Sequence, residues 1–119
     1  VMARRQRQMC IRDSYITQYA SSHPHEDWAE TWAHYLHIVD TLETAVSYGL
    51  STYEPKTNDF DDWYSEWARV AQTMNALNRS MGLSDAYPFI LTEVVRNKLR
   101  FIDTLIDEFT YNNPAPTND

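Results

Sequence analysis

An all-α fold, with three amphipathic helices joined by short loops into a small bundle, is what this sequence predicts. Three observations carry that prediction. Apolar residues recur at intervals of three and four over long stretches, the spacing of one face of a helix. The 119 residues contain only two glycines, Gly49 and Gly82, and each follows one of those stretches as a stop signal. Nowhere does the chain alternate apolar and polar residues like a half-buried strand, and it has no glycine-rich phosphate loop and no internal repeat.

The first stretch to place is RRQRQMCIRDS, Arg4 to Ser14. Its residue order resembles that of a translated transposase-type sequencing adapter, so residues 1–14 are read as a non-native segment and left out of the fold. They are expected to pack poorly on the rest, with Cys10 and Ile11 outside any core. That segment carries four arginines and one aspartate, so the remainder has a net charge of −10 rather than −7. The natural protein is expected to continue upstream of Tyr15.

The first helix is predicted over about residues 24–48. Ser22 or His23 can cap it, Pro24 suits the first turn, and Glu26 and Asp27 lie where the helix dipole favours negative charge. At about 100° per residue, Trp28, Trp32, Tyr35, Leu36, Val39, Leu42 and Val46 share a sector of roughly 120°, the expected core face. Residues 49–58, GLSTYEPKTN, read as a loop. A second helix is predicted over about 59–81, with Phe60, Trp63, Tyr64, Trp67, Val70, Met74, Leu77 and Met81 inward. LSDAYPFIL is a connector, because Pro88 biases Tyr87 away from helical geometry. The third helix is predicted over about 92–108, capped by Thr92, with Val94, Val95, Leu99, Ile102, Leu105 and Ile106 inward. Residues 110–119, with two prolines and two adjacent asparagines, are expected to be a disordered tail.

Charge and composition exclude several classes of function. A net charge of −7 with no basic stripe leaves nothing to grip phosphates, so no nucleic acid or anionic membrane surface is expected as a partner. No run is long and apolar enough to span a bilayer. A single cysteine excludes an internal disulfide and a CxxC zinc knuckle, and no leader pattern follows the N-terminus, so a cytoplasmic location is the default expectation.

The chemistry-bearing residues concentrate in HPHEDWAETWAHYLHIVDTLE, residues 23–43. On the helical wheel Glu26, Glu30, Ala33, His37, Asp40 and Thr44 form a stripe within about 40° of one line, opposite the expected core face, with His34 at its edge. Such a stripe is commonly a solvated helix face, and on that reading the chain is a non-catalytic acidic helical interaction module for a basic partner. It could also be one wall of a metal site. A hydrolytic zinc site needs three protein ligands and an open position. Glu26 and Glu30 are spaced i, i+4, the relation between a carboxylate ligand and an acid one turn on that orients a ligating histidine.

Three strings, YASSHPHEDWAETWAHYLHIVDTLETA, ALNRSMGLSDAYPF and KLRFIDTLI, together resemble the zinc-binding metallopeptidases of bacteria, part of the wider zincin group that takes Glu as third ligand. The resemblance covers most of residues 15–108, and it makes residues 15–109 the helical C-terminal part of such a domain. It implies that Glu26 is the third zinc ligand, that Glu30 is the acid behind a ligating histidine, and that Tyr19 stabilises the oxyanion formed from a peptide carbonyl. Two features depart from the family. His25 stands where an aromatic, usually Trp, is expected, and no HExxH occurs, since His25 and Glu26 are followed by Asp27, Trp28 and Ala29. What the resemblance implies is therefore half a site. The paired imidazoles and the general base would lie in a missing N-terminal portion of the same protein, and this chain alone would be inactive and hold no zinc.

Other candidates are weaker. Glu30 to His34 is one residue longer than the Glu-x-x-His of di-metal bundles, so His34 and His37 are not expected to bind metal on their own. Ser80, in NRSMG, lacks the flanking glycines of a nucleophile elbow.

Overall fold

Backbone hydrogen bonding closes three helices in the computed structural model, which describes residue 16 and residues 24–54 and 59–112. They are α1 (Pro24–Ser47), α2 (Phe60–Ser80) and α3 (Glu93–Asn112), and no strand occurs among the described residues. The all-α prediction holds, with boundaries within a residue or two except at the end of α3. That helix runs on to Asn112, past the expected stop at 108. The stretch 1–14, Ser22, His23 and residues 113–119 lie outside the described residues.

The stops and starts follow from local chemistry. Gly49 and Gly82 adopt positive φ of 75° and 76°, conformations that a side chain disfavours. Each closes the same two-bond helix end. Gly49 N–H donates to Val46 C=O at 3.1 Å and Leu50 N–H to Ala45 C=O at 2.8 Å, while Gly82 donates to Arg79 at 3.0 Å and Leu83 to Asn78 at 2.9 Å. Asp59 caps α2, its Oδ1 accepting from Asp62 N–H at 2.9 Å. Thr92 caps α3, accepting from Val95 N–H at its hydroxyl, 3.4 Å away, and from Arg96 N–H at its carbonyl, 2.8 Å away.

The chain divides into two units, Val1–Trp32 with Leu91–Asp119, and Ala33–Ile90, so α1 contributes its first turns to one and the rest to the other. In the first unit Val95, Leu99 and Ile102 of α3 are fully buried. In the second, Tyr35 packs on Trp63 with ring centroids 5.3 Å apart, and Trp63 packs in turn on Phe60, also at 5.3 Å.

The expected core face of α1 needs correction. Its buried residues are Thr31, Tyr35, Ile38, Leu42 and Ala45, a sector about 70° from the one predicted. Trp28, Leu36 and Val46, expected inward, are 48%, 52% and 40% exposed. The physical reason is visible at Thr31. It is polar and lies outside the predicted sector, but its hydroxyl donates to Asp27 C=O at 2.7 Å, so it is buried with its hydrogen bond made. Leu77 of α2, Met81 at its C-cap and Val94 of α3 were also expected inward and are exposed. The buried positions of α2 end at Ala71, and its last turns are covered only in part.

Candidate functional site

The first turn of α1 carries Glu26 and Asp27, at the positive end of the helix dipole. Glu26 is exposed, and Glu30, one turn on, is half-buried and engaged with a partner. His37, Asp40 and Thr44 continue the same line of α1 and are exposed. The stripe read from the sequence therefore faces away from Thr31, Tyr35, Ile38 and Leu42. Tyr19 lies outside the described residues. Among the described residues no group of three or more His, Cys, Asp and Glu comes together to hold a metal ion. Tetrahedral zinc needs three protein ligands, and the described residues do not assemble such a set.

Asp27, beside Glu26, is tied to α3. Lys98 Nζ lies 3.2 Å and 3.1 Å from its two carboxylate oxygens, and both side chains are largely covered. Trp28, the next residue, lies with its ring 6.1 Å from Phe101 of α3 and 6.0 Å from Trp32. Sequence reasoning passed over Lys98, which is 71 positions from Asp27 and is marked by no local pattern.

His34 takes part in packing within the second unit. Its Nδ1 is 2.6 Å from Tyr87 Oη, and its ring stands edge-on to Tyr87 and to Phe89, with the Phe89 centroid 4.8 Å away. Burial pushes the Tyr87 phenol well above its ordinary value, with Tyr64 adding to the shift, so it is held protonated. Asn75 grips the backbone of Tyr87 at both ends, its Nδ2 donating to Tyr87 C=O at 3.0 Å and its Oδ1 accepting from Tyr87 N–H at 2.9 Å. Asn78 donates to Ser84 C=O at 3.0 Å, and Arg79 pairs with Asp85 at 2.9 Å. The ALNRSMGLSDAYPF string is thus the lacing of one turn, in which nearly every polar residue holds backbone or a partner.

A cleft of about 570 Å³ opens beside Thr52, Tyr53, Asp62 and Ser65. Two of its charged residues, Glu66 and Arg69, are already committed: Arg69 pairs with Glu66 and donates to Leu50 C=O at 2.7 Å, and Ser51 Oγ donates to Glu66 at 2.6 Å. Those bonds, Arg69's first and Ser51's second, hold the Glu66 carboxyl below its ordinary value. None of the site residues read from the sequence lines this cleft.

A sequence model of the family described as "Putative zinc-binding metallo-peptidase" matches residues 4–105, a span that takes in the adapter-like stretch. Curated relatives include an uncharacterized protein of Mycobacterium bovis and another of Mycobacterium tuberculosis. Each is 43% identical over 104 residues, which is 82% of this chain and 30% of the relative. The chain thus spans less than a third of the length of the curated relatives it matches. No solved structure matches.

Proposed function

Because the chain belongs to the "Putative zinc-binding metallo-peptidase" family, whose model covers residues 4–105, we propose that it is the part of a zinc-dependent peptidase that supplies Glu26 as third ligand. The single observation that carries this reading is the placement of Glu26. It is an exposed carboxylate in the first turn of a long helix, on the side away from that helix's buried residues. Glu30, one turn along the same line, is the acid that accepts a hydrogen bond from a ligating histidine and fixes its tautomer. Tyr19 is assigned to the oxyanion, where a phenol donates to the oxygen of a peptide carbonyl under attack. Zinc, when held, supplies Lewis-acid polarisation and acidifies a water for hydrolysis.

The two imidazoles and the general base belong, in this reading, to an HExxH segment in the portion of the longer protein outside this chain. Peptides or proteins are the proposed substrates, and the cytoplasm is the proposed location. No helix among the described residues is long and apolar enough to cross a membrane. Alone, the chain should neither hold zinc tightly nor hydrolyse peptides, since one carboxylate cannot make a three-ligand site.

The test is made on the full-length protein, by zinc content and casein hydrolysis. Glu26→Ala should lose most of its zinc and its activity. Tyr19→Phe should keep its zinc and lose activity by roughly 10²–10³-fold, the usual effect of removing one oxyanion donor. Full zinc in Glu26→Ala would remove the ligand assignment. A full-length protein with neither zinc nor activity would favour the acidic interaction module instead.

A further inference from the structure

Glu26 leaves open how its turn of helix is held still. A ligand carboxylate is useful to a metal only when its backbone is fixed in azimuth and height, and an exposed first turn is the part of a helix most free to fray. The two residues that follow Glu26 are both taken up by α3. Asp27 receives Lys98 on both carboxylate oxygens, at 3.2 Å and 3.1 Å, and Trp28 rests against Phe101 at 6.1 Å. Lys98 and Phe101 are three residues apart, and so stand one turn apart on one side of α3. Asp27 and Trp28 differ by about 100° around α1, so the two contacts bear on it from different directions and together resist both rolling and sliding.

A third bond stiffens the same turn from within, the donation from the buried Thr31 hydroxyl to Asp27 C=O at 2.7 Å. The Lys98 and Asp27 side chains are only 28% and 19% exposed, so their attraction is less screened than that of a surface pair. With Asp27 turned to α3, the preceding residue points about 100° away from it. That is the direction in which Glu26 is exposed.

We propose that Lys98 is a positioning residue for Glu26: through Asp27, and seconded by Phe101 on Trp28, it sets the turn from which the carboxylate reaches a zinc ion. This rests on the assignment of Glu26 as a ligand, and the experiment separates the two. In the full-length protein, zinc affinity is measured by competition with a chromogenic chelator, and the folding of the zinc-free form by circular dichroism. Lys98→Met and Asp27→Asn should each weaken zinc binding by about ten-fold, the low end for residues that orient ligands. Both should leave the zinc-free protein folded at the assay temperature. The double variant should be no weaker than either single one, and Lys98→Arg should recover most of the affinity.

Unchanged affinity in Lys98→Met, alongside weakened binding in Glu26→Ala, would overturn the positioning role and leave the ligand standing. Unchanged affinity in Glu26→Ala would remove the ligand and this inference with it. Should Lys98→Met unfold, the isosteric Asp27→Asn carries the test. Loss of zinc that follows only the unfolded fraction in Asp27→Asn would also overturn the proposal.

Discussion

At Tyr87 a single hydroxyl connects burial, a histidine and a turn. Its folded pKa is raised, so above the ordinary tyrosine value of about 10 the native state holds a proton that the unfolded chain has lost. Stability conferred by this group is present below that pH and falls as pH rises through and beyond it. Alkaline unfolding of the wild type, followed by circular dichroism, should therefore be steeper than that of Tyr87→Phe. At pH 7 the same substitution should cost about 1 kcal/mol for the lost bond to His34. Glu66 behaves in the opposite sense. Its folded pKa lies below its ordinary value of 4.5, so its contribution is present above that pH and is lost on acidification below it. Glu66→Gln should lower the urea midpoint at pH 7 and leave it nearly unchanged at pH 3. Tyr87 was legible in the sequence only as a connector residue, because its burial and its bond to His34, 53 positions away, depend on tertiary packing. For Glu66 the partner Arg69 is three residues on, and only Ser51, 15 positions away, is marked by no local pattern.

Among the elements, helix ends were the most readable feature and helix faces the least. Gly49, Gly82, Asp59 and Thr92 act within four residues of themselves, so their roles can be taken from the sequence, and all four do what their chemistry predicts. Gly82→Ala should cost about 1–2 kcal/mol, the penalty for a side chain in left-handed geometry, read as a lowered melting temperature. The face of α1 was misjudged because the tryptophans, bulky and regularly spaced, outweighed a smaller pattern. Thr31, Tyr35, Ile38, Leu42 and Ala45 alternate steps of four and three, and that spacing was present in the sequence. Two neighbouring residues test the corrected face. Ile38→Ala should cost about 2–5 kcal/mol, and Leu36→Ala, two positions away, under about 0.5 kcal/mol in urea unfolding. Equal costs would restore the original face.

For the whole molecule, fold class and family were legible, the first from periodicity and the second from the order of residues in three strings. The candidate site was legible only in part. Glu26 and Glu30 could be put on one line of a helix from their spacing, whereas the hold of Lys98 and Phe101 on the adjoining residues depends on how α3 folds back, which no local pattern encodes. A chain that spans 30% of the length of its mycobacterial relatives presents one wall of the proposed site. The account stands on Glu26 giving an oxygen to zinc, and X-ray absorption at the zinc edge of the full-length protein reads that bond directly. The wild type should show two nitrogen ligands and a carboxylate oxygen at about 2.0–2.2 Å, and Glu26→Gln should lose or lengthen that oxygen contact. An identical shell of neighbours in the two proteins would contradict it.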